Sequence, residues 1–154
     1  MNKILSALLF TALLTSACTN KGQKNNNSTQ EVLSEVTDKN STVIIPESSG
    51  IVNLHLADGV GFAQIQKKDN QTVYIKFTSE EYTKINAHLS SSDSLANIRF
   101  SQIFLPDGSM DGPFGRDIEY PLPQNGVYKI SIHENTMAGD PWCGLFNIEV
   151  KLTK

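Results

Sequence analysis

Hydrophobic and polar residues alternate without a break in the last segment of the chain, from 146 to 153. The apolar positions are Phe146, Ile148, Val150 and Leu152. A period of two is typical of a β-strand with one face in a core and the other in water. A slip of one residue would expose the whole apolar series, so the pattern also fixes which side chains point inward. Ile148 is therefore predicted to lie in the core.

The same alternation recurs upstream and predicts about eight strands. Its apolar series are Val52/Leu54/Leu56, residues 61–66, Val73/Ile75/Phe77, Ile98/Phe100/Phe104, Ile118/Tyr120/Leu122 and Tyr128/Ile130/Ile132. Turn dipeptides such as Asp58-Gly59 and Asn125-Gly126 separate these series, because Asn, Asp and Gly tolerate positive φ. Short strands with short connections predict an all-β fold, an antiparallel β-sandwich of the jelly-roll type.

Two segments of this pattern need separate treatment. Pro121 has no N–H to donate to a ladder, so the strand around residue 120 is predicted to be short or at an edge. Residues 78–89 fit both a helix stripe and a strand, with Thr78 and Glu81 resembling a capping box. The neighbouring strands favour a strand here, with a short helical turn at residues 79–82 as the alternative.

The N-terminus has the pattern of a bacterial export signal. Lys3 precedes eleven mostly apolar residues, which are too few to span a bilayer, and small residues lead up to Cys18. This arrangement resembles the lipobox of bacterial lipoproteins, with Leu14 one place earlier than usual. The resemblance implies that Cys18 becomes a lipid-modified first residue that anchors the protein to a membrane.

We expect three parts: a signal peptide at 1–17, the lipidated Cys18 with a tether at 18–50, and a β-sandwich domain at 51–154. The tether is rich in Asn, Ser, Thr and Lys and has too few apolar residues to form a core. Thr19 after Cys18 resembles an outer-membrane sorting signal. The expected location is therefore the cell envelope, on the outer membrane facing either the periplasm or the cell surface.

Charge and cysteine content exclude several classes of function. The chain has 13 Lys and Arg against 16 Asp and Glu, interspersed, so no nucleic-acid-binding patch is predicted. The three histidines lie at no metal-ligand spacing, and we predict no metal and no cofactor. With Cys18 lipidated, Cys143 is expected to form no intramolecular disulfide. The acidic loop from Asp107 to Asp117 suits either turn-forming carboxylates or a calcium loop.

No arrangement of residues in the chain predicts catalysis, so function is expected to reside in binding through loops. Two long loops carry large apolar and charged residues at non-alternating positions, and loops on a rigid scaffold are where binding residues concentrate. The candidate contacts are Phe114, Arg116, Met137, Asp140 and Trp142. The alternative role for Trp142 is to cap one end of the core.

Two resemblances add further expectations. Leu105-Pro106-Asp107-Gly108 and the segment Pro123 to Ile132 look like bacterial pre-peptidase C-terminal-like domains, which are jelly-roll sandwiches. The layout also resembles periplasmic sandwich proteins that inhibit animal-type lysozymes through a Ser-Gly-x-Tyr loop. The equivalent residues here are Asn125, Gly126 and Tyr128, with Asn125 in place of the Ser.

The sequence thus predicts a lipid-anchored, non-catalytic envelope protein that binds a partner through loops at one end of a sandwich. One alternative is an inhibitor or immunity protein that blocks a peptidoglycan hydrolase or lysozyme, which requires an exposed Tyr128. A second alternative is a carbohydrate-binding module, which requires an aromatic platform built from Trp142, Phe114 and Tyr120.

Overall fold

A computed structural model describes residues 42–154, which form ten strands and no helix. The strands are β1 (Val43–Ile44), β2 (Ile51–Asn53), β3 (Val60–Lys67), β4 (Val73–Thr78), β5 (Lys84–Ser90), β6 (Arg99–Phe104), β7 (Met110–Asp111), β8 (Asp117–Pro121), β9 (Val127–His133) and β10 (Gly144–Thr153). In this part of the chain there is accordingly no helix long and apolar enough to cross a membrane.

The strands form two five-stranded sheets that pack face to face, which confirms the predicted all-β sandwich. Sheet A has the order β1-β3-β10-β5-β8, and sheet B has the order β2-β4-β9-β6-β7. Apart from β1 and β2, which pair in parallel with their neighbours, all pairings are antiparallel. The signal peptide and the lipidated Cys18 predicted from the sequence lie outside the described residues.

The inner faces of both sheets supply one continuous core, as the alternation predicts. Ile148 is fully buried in the middle of β10, opposite Ala63 of β3 on one side and Leu89 of β5 on the other. Ile130 holds the equivalent place in β9 of sheet B, between Ile75 and Ile103. Central strands with strict alternation therefore meet across the sandwich and exclude water between the sheets.

Strand β6 departs from the predicted facing. The sequence pattern placed Phe104 on the core face and Ile103 opposite, but Ile103 is fully buried and Phe104 is only partly buried. A β-bulge between Phe100 and Gln102 inserts Ser101 as an extra residue, so every side chain after it changes face. The predicted facing of Ile103 and Phe104 was therefore wrong.

Two of the open questions about individual strands are answered. Residues 84–90 form a strand, β5, and residues 79–82 form a turn closed by the bond from Tyr82 N to Ser79 O (2.9 Å), which confirms the strand interpretation. The strand that contains Pro121, β8, lies at the edge of sheet A, as its missing donor requires. Strand β1 lies before Ile51 and adds a short edge strand that the sequence pattern did not predict.

The strand directions place the loops at two opposite ends of the sandwich. We call the end with loops 79–83, 105–109 and 122–126 the Asn125 end. We call the end with loops 68–72, 91–98 and 134–143 the Trp142 end. Val127 pairs with Thr78 next to the first end, and Gly144 pairs with Lys67 next to the second. The candidate contact residues therefore do not form one surface.

Candidate binding loops

The turn at residues 122–126 is fixed by a serine that is distant in sequence. Ser79 is fully buried, its backbone N donates to Gly126 O (2.9 Å), and its Oγ accepts a bond from Gly126 N (3.1 Å). Gly126 has a φ of 149°, and a Cβ there would lie 3.0 Å from the Pro106 ring. The turn is thus held against loops 79–83 and 105–109, while Asn125 itself remains exposed.

Tyr128 braces this turn from inside the core. Its side chain is fully buried, and its ring stacks on Phe77 with 5.7 Å between the centroids. Its hydroxyl donates to Gln124 O (2.8 Å) and accepts from Gln124 N (3.3 Å). The exposure of Tyr128 that direct contact with an enzyme would require is not found, so Tyr128 positions the turn and does not present a surface.

Asp107 completes the support of the same turn. Its carboxylate accepts bonds from Ser109 N (2.9 Å), from Ser109 Oγ (2.6 Å) and from Gln124 Nε2 (2.9 Å). These bonds, that from the Ser109 hydroxyl first, hold the pKa of Asp107 below its ordinary value. The carboxylate of Asp111 similarly accepts the Gly112 N–H. Asp107 and Asp111 thus act as turn acceptors, and residues 42–154 contain no cluster of three or more metal-binding side chains.

Trp142, at the opposite end, is mostly buried. It is 8 % exposed, and its Nε1 donates to Asp93 Oδ2 at 2.7 Å. That bond, together with the Leu95 N–H and the charge of Arg116, lowers the pKa of Asp93. Trp142 therefore caps the core and links loops 134–143 and 91–98, which is the alternative role that the sequence left open.

A buried ion pair lies beneath Trp142. Lys67 is fully buried, and its Nζ donates to Glu134 Oε1, to Trp142 O (2.9 Å) and to Lys68 O (3.0 Å). Glu134 Oε1 also accepts the Trp142 N–H at 3.2 Å. These hydrogen bonds offset the cost of removing the two charges from water, and they tie loop 134–143 to β3. Nothing in the local pattern around Lys67 or Glu134 predicts it.

Two apolar side chains project from the Trp142 end. Met137 is 97 % exposed and Leu95 is 84 % exposed, on neighbouring loops. Asn97 connects these loops, since its Nδ2 donates to Asn135 O (3.2 Å) and to Asp140 O (3.0 Å). Of the predicted contacts at this end, Met137 and Asp140 are thus exposed. Leu95 was missed because its segment carries no periodic signal.

Phe114 and Arg116 are the remaining predicted contacts, and Arg116 contacts loop 91–98 of the Trp142 end. Phe114 is partly buried and packs edge-on against Tyr120, with 6.0 Å between the ring centroids. Arg116 is partly buried, and its Nη2 donates to Ala96 O. With Trp142 buried at one end and Phe114 packed on Tyr120, these three aromatic residues do not form the platform that the carbohydrate-binding alternative requires.

Cys143 differs from expectation. It is disulfide-bonded. The expectation that Cys143 forms no disulfide was therefore wrong. That expectation depended on the thiol of Cys18 being used for a lipid.

Comparison with solved structures identifies a protein of the same architecture. The crystal structure of Aeromonas hydrophila PliG, a periplasmic inhibitor of g-type lysozyme, matches with a TM-score of 0.51 and 15% sequence identity, over 73% of this chain and 100% of that chain. The two chains share a fold. At this identity the match shows the architecture alone. The whole of the Aeromonas chain has a counterpart in the sandwich described here.

Two further PliG structures match with lower scores. The Salmonella Typhimurium protein has a TM-score of 0.47 at 11% identity, over 67% of this chain and 98% of that chain. A mutant of the Escherichia coli protein has a TM-score of 0.44 at 13% identity, over 67% of this chain and 97% of that chain. No family model and no curated protein matches the sequence. The resemblance to pre-peptidase C-terminal-like domains therefore stays a prediction.

Proposed function

We propose that this chain is a protein inhibitor of a peptidoglycan hydrolase of the g-type lysozyme class, and that it binds through the Asn125 end. The observation that carries the proposal is the match to Aeromonas hydrophila PliG over the whole of that inhibitor's length. It favours the inhibitor alternative over a general envelope-binding function. Nothing in the loops of residues 42–154 suggests catalysis by the domain itself.

The construction of the Asn125 turn suits insertion into an enzyme cleft. Protein inhibitors bind tightly when the inserted loop is already fixed in its bound conformation, because little conformational entropy is then lost. Ser79, Asp107 and Tyr128 hold the turn from three sides, and Asn125 stands exposed at its tip. A rigid exposed turn of this kind meets that requirement without a functional role for the Tyr128 ring at the surface.

The charge of this end indicates the kind of cleft that it fits. Asp58, Glu80 and Asp107 are exposed there, and the nearby Glu81 is paired with Lys154 at 2.9 Å. Carboxylates around a binding loop steer it toward a positively charged partner and raise the association rate. We therefore expect inhibition to weaken as the salt concentration rises.

The test is an activity assay with a purified g-type lysozyme and peptidoglycan. Stoichiometric addition of the secreted chain should abolish hydrolysis. Asn125→Lys places a long charged side chain at the tip of the turn and should weaken inhibition at least about tenfold, or about 1.4 kcal/mol, without unfolding the domain. Met137→Asp is the matched control, since it changes an equally exposed residue at the opposite end.

Each possible outcome tests a different part of the proposal. Absence of inhibition with a g-type lysozyme would exclude the proposed enzyme class. Inhibition that is lost in Met137→Asp and retained in Asn125→Lys would move the binding site to the Trp142 end. Equal losses in both variants, with folding intact, would contradict a site confined to one end.

We further propose that the inhibitor is held in the cell envelope by a lipid on Cys18. The sequence has two cysteines, so a lipid on Cys18 is the alternative to a disulfide that joins Cys18 to Cys143, and one molecule can carry only one of the two. Cys18→Ser should release the protein from the membrane fraction. Unchanged fractionation, or a protein mass that corresponds to an oxidised and unlipidated chain, would refute the anchor.

A further inference from the structure

The outer face of sheet B differs in charge from the rest of the domain. The residues paired across neighbouring strands show which side chains lie on this face. They are Ile51 and Asn53 on β2, Tyr74, Lys76 and Thr78 on β4, Val127, Lys129, Ser131 and His133 on β9, Arg99, Gln102 and Phe104 on β6, and Met110 on β7. This set holds three of the chain's 13 Lys and Arg and none of its 16 Asp and Glu. The face is thus positive in a chain of net charge −3.

The basic residues on this face are paired with one another. Lys76 of β4 lies directly opposite Lys129 of β9, and Arg99 of β6 lies directly opposite His133 of the same strand. Directly opposed residues in an antiparallel pair share a face, and the like charges of Lys76 and Lys129 in that position destabilise the sheet. The outer face of sheet A shows the usual alternative, with Lys84 paired to Glu119 and His88 to Asp117.

Two aromatic rings lie close to the Lys129 side chain. The Tyr74 and Phe104 rings are 6.4 Å apart, and Lys129 Nζ lies 4.3 Å from the Phe104 centroid and 4.9 Å from that of Tyr74. Phe104 reaches this face only because of the bulge at Ser101. The bulge also carries two buried polar atoms without a hydrogen-bond partner, Arg99 Nε and Ser101 Oγ. Locally unfavourable arrangements of this kind are expected where a surface serves binding.

We propose that the outer face of sheet B binds a carboxylate-bearing saccharide chain, through Lys76, Lys129 and Arg99 for the carboxylates and through Tyr74 and Phe104 for the sugar rings. Cationic side chains pair with carboxylates, and an aromatic ring offers an apolar face to a pyranose. The two basic pairs are four residues apart along β9, about 14 Å, so a ligand must extend along the strands to reach both. This surface is a sheet face that adjoins the Asn125 end but does not include its loops, and the inference does not depend on the inhibitor proposal.

The experiment measures binding of the full secreted chain to purified peptidoglycan sacculi by co-sedimentation, with a neutral glucan as the reference polymer. The chain should bind the sacculi and not the glucan, and binding should weaken with rising salt. Lys76→Gln combined with Lys129→Gln should lower the affinity roughly tenfold. The matched control, Lys84→Gln combined with Lys151→Gln, removes the same charge from the outer face of sheet A and should bind normally.

Three results would overturn the proposal. They are absence of binding to sacculi at low salt, equal losses in the two double variants, and stronger binding to a DNA oligonucleotide or to anionic phospholipid vesicles than to the saccharide. If circular dichroism shows that a variant is unfolded, the binding site is mapped instead on the unaltered protein, by NMR amide shift changes on addition of soluble peptidoglycan fragments. Shifts should cluster at Tyr74, Phe104 and Ser131, and shifts elsewhere alone would refute the assignment.

Discussion

Removing the hydroxyl of Tyr128 distinguishes two roles for this residue, which are bracing the Asn125 turn from inside the core and contacting an enzyme directly. In Tyr128→Phe the ring keeps its burial and its stack on Phe77, and only the bonds to the Gln124 backbone are lost. Gln124 O keeps the weaker bond from Ser79 Oγ at 3.3 Å. The variant therefore loosens the turn around Asn125 without opening the core.

The magnitude follows from the bonds removed. A hydrogen bond of this kind contributes about 0.5–1.5 kcal/mol, so the free energy of unfolding should fall by about 1 kcal/mol. With a typical urea dependence of about 2 kcal/mol per molar, the midpoint should fall by about 0.5 M. Tyr128→Ala should cost about 3–5 kcal/mol and lose the stack as well, which is enough to unfold much of a domain of ordinary stability.

The assay is urea denaturation followed by circular dichroism, together with lysozyme inhibition at equal concentrations of folded protein. Tyr128→Phe should be slightly less stable and a weaker inhibitor than the unaltered protein. Loss of inhibition in Tyr128→Phe at unchanged stability would mean that the hydroxyl contacts the enzyme directly. A Tyr128→Ala variant as stable as the parent would refute the core position of Tyr128.

Three further predictions concern the core, the buried ion pair and the bond between Asp93 and Trp142. Ile148→Asp buries an unpaired charge in mid-strand and should cost more than about 4 kcal/mol, so a soluble, cooperatively unfolding variant would contradict the facing of β10. Lys67→Met leaves Glu134 buried without its partner and should cost about 3–5 kcal/mol, whereas adding Glu134→Met should restore most of the loss in thermal denaturation. Because the bond from the Trp142 indole Nε1–H lowers the pKa of Asp93, it contributes stability above the unfolded-state pKa of 3.8, and this contribution is lost as pH falls through the lower folded-state pKa. Denaturation of Trp142→Phe should show a weaker acid dependence than that of the unaltered protein.

Much of the sandwich follows from local sequence alone. The alternation in β3, β4, β9 and β10 specifies both the strand and its buried face, because a strand's side chains alternate with period two whatever lies beside it. Pro121 likewise specifies an edge, because its missing donor is a local property. The sequence pattern also placed Met137 and Asp140 in a loop, since they interrupt the alternation, and both are exposed in the structure.

The tertiary structure decided what each candidate residue does. Ser79 fixes Gly126 across 47 positions of sequence, and Asp93 holds Trp142 across 49, so no short-range pattern could reveal either contact. The outward position of Phe104 also depends on tertiary structure. It follows from the bulge at Ser101, which long-range pairing with β9 sets. The sequence by itself therefore determined the strands and most of their faces, while long-range strand pairing and side-chain hydrogen bonds placed the Asn125 turn, the Trp142 cap and the basic face of sheet B.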